Sequence, residues 1–166
     1  MALNAHLDMK AAGIKGESKE QGFEDQIQLQ SWSWGVHNPN ATTHGSGLGS
    51  GPGEPGTFNF TMYMNTASPE LLVHCSTGQH ITSDVILTVC KTGDKNTLQK
   101  FLKITYKNVM VASYSTGGQG ANDLPLENIS LAYESMKMEY LKQAEGGKTS
   151  PAGQGGYDFK TKKKVG

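Results

Sequence analysis

Arginine is missing from this chain: all 15 of its basic residues are lysines. The guanidinium fork reads guanine edges and grips phosphates or carboxylates at two points, so its absence argues against a nucleic-acid reader. Net charge is missing too, since 15 lysines face 15 acidic residues and the formal balance at pH 7 is zero. Cysteine is scarce. Cys75 and Cys90 match no metal or redox spacing, and free thiols in a reducing cytoplasm are the expectation. No run approaches the roughly 18 apolar residues that span a bilayer. The opening Met1-Ala2-Leu3-Asn4-Ala5-His6 has neither a basic nor a long apolar segment. Neither membrane insertion nor a signal peptide is therefore expected.

What remains is a length that suits one domain, residues 1–166, with strand patterns in most of it. Leu3, Ala5, Leu7 and Met9 alternate with polar residues, as do Phe58, Phe60, Met62 and Met64. Val85 to Cys90 is continuously apolar, which fits a strand covered on both faces. Long strands are expected from Leu98 to about Ser115 and from about Asn128 to Leu141. Tyr157 and Phe159 suggest a short closing strand after a glycine-rich link. One helix is marked by Ser68 as cap, Pro69 and Glu70 in its first turn and Gly78 as its stop, with Leu71, Leu72 and Cys75 as its apolar face. Many strands and one helix predict a mainly β protein, a barrel or sandwich with a flanking helix.

Two strands change phase. Ile27 and Leu29 lie on one face, but Trp32, Trp34 and Val36 on the other. Ile129, Leu131 and Tyr133 give way to Met136, Met138 and Tyr140. A one-residue bulge restores a single buried face; a strand that finishes its burial against another subunit is the alternative. Residues 38–56 have no usable period and are rich in glycine and proline, the mark of a long functional or disordered loop. From Lys142 onward six lysines face only Glu145 and Asp158. This is either a solvated tail or one half of a head-to-tail charge pairing.

Catalytic chemistry finds little support. Gly51 to Gly56 matches G-x-G-x-x-G in letters, but it leads into a strand and holds two prolines, so it is no dinucleotide site. His74, Cys75 and His80 fit no common zinc spacing. There is no G-x-S-x-G elbow and no nameable carboxylate pair. No enzyme activity, metal or cofactor is expected. Trp32 and Trp34, at i and i+2, share a strand face and read as core anchors, leaving Ser31 and Ser33 on the opposite face. A carbohydrate-stacking platform in a secreted β-rich binding module is the rival use of that pair.

Several strings, in order along nearly the whole chain, carry a resemblance: Lys15-Gly16-Glu17-Ser18, Trp32-Ser33-Trp34-Gly35, the glycine-rich stretch before Phe58, and Ser68-Pro69-Glu70-Leu71. Ser113 to Gly118, Glu127 to Leu131 and Gly156-Tyr157-Asp158 complete the set. Together they resemble the haemolysin-coregulated protein (Hcp) family of bacterial type VI secretion. The resemblance implies a phage tail-tube-like fold and a homohexameric ring that stacks into a tube. It implies a contractile sheath around the tube, a spike protein at its tip and effector proteins held and protected in the lumen. It also implies a cytoplasmic protein later expelled without a signal peptide. On this reading Ser31 and Ser33 face the lumen. His44, Gly45, Gly47, Leu48, Gly49 and Gly51 belong to a loop that joins stacked rings. Lys103, Thr105 and Lys107 line the same wall as the serines or face solvent; their alternation fits both.

Overall fold

The computed structural model describes residues 3–41, 43–44, 47–48, 51–92, 98–118, 120, 124–143 and 149–166. Its elements are β1 (Leu3–Asp8), β2 (Ile27–Leu29), β3 (Ser31–Ser33), β4 (Val36–His37), β5 (Thr43–His44), β6 (Gly47–Leu48), β7 (Glu54–Pro55) and β8 (Phe58–Tyr63). Then come α1 (Ser68–Thr77), β9 (His80–Ile81), β10 (Val85–Thr92), β11 (Leu98–Gly117), β12 (Leu126–Gln143), β13 (Thr149–Asp158) and β14 (Lys163–Val165). The main sheet is antiparallel in the order β14-β13-β12-β11-β10-β1-β2, with β8 on β12, β3 on β8 and β9 on β11. The mainly β expectation holds. The sheet is open, because β14 and β2 end it rather than pair, so the barrel alternative gives way to a sandwich-like arrangement.

Alternation becomes burial where the sequence is periodic. Phe58, Phe60 and Met62 point inward from β8, and Ala5, Leu7 and Met9 from β1 and the residue after it. Val85, Leu87, Val89 and Cys90 are all buried, as a strand flanked by β1 and β11 requires. A column of rings crosses this core: Phe58 to Tyr106 at 5.0 Å, Tyr106 to Tyr133 at 4.8 Å and Tyr133 to Phe159 at 6.2 Å. Each such pair adds about 0.5–1.5 kcal/mol beyond its buried area.

The phase changes have a cause other than a bulge. Val109 pairs with Tyr133, Lys107 with Ser135 and Tyr106 with Met136, with no shift of register between them. A bulge adds a residue to one strand only, so it would shift the register. Instead both strands reverse their inward face together, at Asn108 and Glu134. Asn108 takes φ +50°, a left-handed conformation that asparagine tolerates, and its side chain bonds Glu134. At the same level β12 exchanges β8 for β13, and β11 exchanges β10 for β9. The first switch is similar: the chain divides at Gln30, β2 pairing with β1 and β3 with β8. Bulges do occur, but elsewhere, at Phe101 and Ala112 of β11 and at Ala152 of β13.

Four local expectations are corrected. The helix is capped at Ala67 rather than Ser68, whose hydroxyl instead accepts the Asn65 N–H at 3.0 Å. Its inward residues are Ser68, Leu71 and His74, with Cys75 half-buried, while Leu72 is exposed because it lies about 100° around the helix from Leu71. The glycine-rich link is itself β13, which pairs with β12 and β14 through Gly153, Gly155 and Gly156. A Cβ on Gly156 would lie 2.6 Å from the Met136 carbonyl oxygen, so only glycine lets the strands approach this closely. The described parts of 38–56 are not structureless either. β4 pairs with β7 and, nested within them, β5 with β6, as in an extended hairpin arm.

The paired reversal yields a prediction. Asn108→Val places a β-branched residue at positive φ and should cost about 1–3 kcal/mol in urea unfolding. Asn108→Gly, free at that φ, should cost clearly less. Equal costs would mean that the left-handed turn is not what the position demands.

Candidate functional site

Groups able to do chemistry are few and mostly occupied. His74 lies inside the helix contact with Nδ1 2.8 Å from the Glu70 carbonyl oxygen, and His80 sits exposed on β9. No group of three or more histidine, cysteine or acidic side chains among the described residues is placed to hold a metal. Cys90 is fully buried, and burial pushes its thiol up to about 11, which keeps it protonated and inert. His37 pairs with Glu54 at 3.6 Å across β4 and β7, both exposed.

Two buried polar groups escaped the sequence reading. His6, at an outward position of β1 by alternation, is 0% exposed because the 13–26 segment folds over it. Its ring stacks on Phe23 at 4.3 Å, and Nε2 lies 2.9 Å from the Glu20 carboxylate. Lys100 lies over the other partner of that stack, 4.9 Å from the Phe23 centroid. Burial lowers the His6 pKa, and Glu20 only partly offsets it. Glu127 is 0% exposed on the inner side of β12. It accepts hydrogen bonds from Ser68 Oγ at 2.6 Å and from the Tyr114 hydroxyl, tying α1 to two strands. Burial, reinforced by Glu127, pushes the Tyr114 phenol up to about 12.

The outer side of the same strands is different. Residues opposite one another in an antiparallel pair share a face. Ser31 lies opposite Thr61, with their hydroxyl oxygens 2.7 Å apart, and Ser33 lies opposite Asn59. Asn59 in turn faces Ser130 and accepts its hydroxyl at 2.6 Å, and Thr61 faces Asn128. Ser113 and Ser115 continue the rows on β11. Four strands, β3-β8-β12-β11, thus present hydroxyls and amides and no charged side chain at these positions. Lys103 and Lys107 are not part of it. They lie on the other half of β11, beyond the reversal, with Lys103 3.6 Å from Glu139 and Lys107 3.6 Å from Asp84. Thr105, between them, is buried.

Beyond Glu134 the inward face of β12 runs out of core. Met136 is buried and Met138 half-buried, but Tyr140 is 49% exposed. Together with Trp34, Val36 and the bare backbone of Gly155, these residues line an apolar groove of about 790 Å³. Trp32 and Trp34 are half-buried and packed against the core, so they do not form the open pair of ring faces that sugar stacking needs. The arm borders the groove through Gly51, whose carbonyl accepts Asn38 Nδ2 at 2.8 Å. Of the other arm residues, His44 lies in β5 and Gly47 and Leu48 in β6. Gly45 and Gly49 lie outside the described residues.

A mainly β fold with one α-helix and an uncharged outer face is the class of protein that the described residues define. The comparisons name the family. The family model for the type VI secretion system effector Hcp matches residues 9–140. Protein hcp1 of Pseudomonas aeruginosa is 33% identical over 141 residues, covering 84% of this chain and 86% of that one. The crystal structure of Hcp1 from Salmonella typhimurium superposes with a TM-score of 0.79 at 30% identity, covering 99% and 100% of the two chains. A type six secretion system protein of known structure reaches 0.89 at 26% identity with the same coverage. The chain belongs to the Hcp family of type VI secretion proteins. It is a tube or secreted component of that system. No described helix is long and apolar enough to cross a membrane.

Because the His6 pKa is lowered in the folded protein, the unfolded chain binds the proton more readily. The stability this confers is present above about pH 6.5 and is lost as pH falls through the folded value. The wild-type Tm should therefore drop between pH 7 and pH 5, and His6→Phe, which keeps the stack on Phe23, should flatten the drop. Parallel pH profiles would show that His6 is not the group responsible.

Proposed function

We propose that this chain is the tube subunit of a type VI secretion machine. Six copies close into a ring, and rings stack into a tube inside a contractile sheath. The tube carries a spike protein at its tip and effector proteins in its lumen. The protein is made in the cytoplasm and leaves with the tube. The observation that carries this reading is the uncharged four-strand face around Ser31 and Ser33. A conduit wall has to hold cargo and then release it. A neutral hydrogen bond has a modest net worth, about 0.5–1.5 kcal/mol, whereas bonds to charged groups are stronger and depend on matching sign. Rows of hydroxyls and amides fit weak, general and reversible contact.

The arm supplies the joint between rings, through His44, Gly45, Gly47, Leu48, Gly49 and Gly51. A ring offers six such contacts, so weak individual docking sums to a stable joint. The apolar groove belongs to the lateral contact within a ring. It gives β12 the second half of its burial, in keeping with the alternative that a strand finishes its packing on a neighbour.

Negative-stain images of the purified chain should show rings; small monodisperse particles would contradict the assignment. Ser33→Gln should leave rings and Tm unchanged, since Ser33 is exposed. It should lower the yield of co-purified effector several-fold, and unchanged retention would remove Ser33 from the lumen wall. Replacing residues 45–53 by a short Gly-Ser link should keep rings but shorten tubes and reduce export. Equal tube length and export would leave the arm without the stacking role.

A further inference from the structure

We propose that the outward face of α1 is the element that fills the apolar groove of the next copy. This inference rests on the ring reading above and names the two surfaces that meet. Leu72 and Val73 are each 48% exposed on the side of α1 turned away from the sheet. The hydroxyls beside them are already spent: Ser76 Oγ donates to the Leu72 carbonyl at 2.8 Å and Thr77 Oγ1 to the Val73 carbonyl at 2.8 Å. Leu72, Val73, Ser76 and Thr77 thus present carbon to the outside. A helix facing water ordinarily carries charged residues there. In α1 the acidic residue Glu70 stands in the first turn, and His74 is turned inward.

The groove has the complementary chemistry. Trp34, Val36, Met138 and Tyr140 form its walls, and Gly155 leaves its floor open, since a Cβ there would meet nothing within 4 Å. An apolar helix face laid in an apolar groove is a recurrent mode of recognition. The rims match as well. Phe159, at the groove, is followed by Lys160, whose Nζ is paired with Glu134 at 3.3 Å, and by Lys162, Lys163 and Lys164, while the Asp158 carboxylate accepts the Lys160 and Thr161 N–H groups at 3.0 and 2.8 Å. The N-terminal end of α1 carries Glu70 and, through its bond to the Thr66 N–H at 3.2 Å, Glu17. Lys15 beside it is turned toward Asp25, 4.0 Å away. Docking therefore brings a basic rim to an acidic helix end.

The geometry also selects the partner. Helix and groove share no residue, so their contact is head-to-tail, the kind that closes into rings. A groove meeting a groove would give a two-fold pair and leave α1 uncovered. Tyr63, Met64, Leu124 and Leu126 are exposed as well, and of these Tyr63 and Leu126 lie register-matched at the end of the uncharged face rather than on the helix.

Two variants test this, each checked for folding by its circular dichroism melt. Leu72→Glu with Val73→Lys spoils the helix face, and Gly155→Trp fills the groove. Each alone should sediment as a monomer under conditions where the wild type forms rings. Mixed in equal amounts they should form a species of twice the monomer mass, because one intact helix then meets one intact groove. Leu126→Glu should still form rings. Rings from the Leu72/Val73 variant would overturn the proposal and leave α1 for a different partner. A double-mass species from that variant alone would mean groove on groove, and monomers in the mixture would equally sink the pairing. A wild type that stays monomeric at every concentration would instead overturn the ring reading on which it rests.

Discussion

The pairing of β11 with β12 sets the shape of everything around it. These are the two longest strands, and midway along both they turn their inward faces over together at Asn108 and Glu134. One extra residue in one strand would have bent the sheet and shifted the register. A matched reversal keeps the same register on either side of it and lets one ribbon serve two packing layers. On the first side β12 carries β8 and β3; on the second it carries β13 and β14. The ring column through Tyr106 and Tyr133 bridges the two, and these tyrosines flank the reversal. Burial raises the Tyr133 phenol to about 12, so this column stays neutral across the physiological range.

Two surfaces follow from that ribbon. On the β8 side the inner positions are filled by apolar residues and by Glu127, which is bound by Ser68 and Tyr114, and the outer positions are hydroxyls and amides. On the β13 side the inner positions continue past the end of the core. Met138 is only half-buried and Tyr140 is exposed, and the residues that pair with them on the neighbouring strand, Gly155 and Gly153, carry no side chain to cover them. Glycine allows the close approach at Gly156 and at the same time withholds the side chains that would have closed the groove. An uncovered apolar surface of this kind is the mark of a protein that completes its burial on association.

Where residues repeat with a clear period, the sequence was readable. β8, β10 and the ends of α1 follow from alternation, a continuous apolar run and Pro69 with Gly78. The ordered strings resembling Hcp point to the family from sequence alone. The phase changes at Trp32 and Met136 were visible, but their cause was not, since partner exchange is a property of the sheet and not of one strand. His6 was hidden because its position alternates as solvent-facing, and only the loop carrying Glu20 and Phe23 covers it. Glu127 looked like an ordinary strand carboxylate, and its burial depends on donors 59 and 13 residues away. β13 is not legible because Gly153, Gly155 and Gly156 read as a link, although all three pair with β12 and Gly156 also with β14. Leu72, expected on one apolar face with Leu71 and Cys75, lies outside because it sits about 100° around the helix from Leu71.

The central claim is that the groove beside β13 is open in a single copy and covered in the assembly. Trp34 lines it, so in a Trp32→Phe protein the emission of Trp34 reports its cover directly. The emission should be blue-shifted in concentrated, ring-forming solution and should move to the red on dilution, in step with the fall in sedimenting mass. Emission that stays constant while the mass falls from ring to monomer would contradict the account.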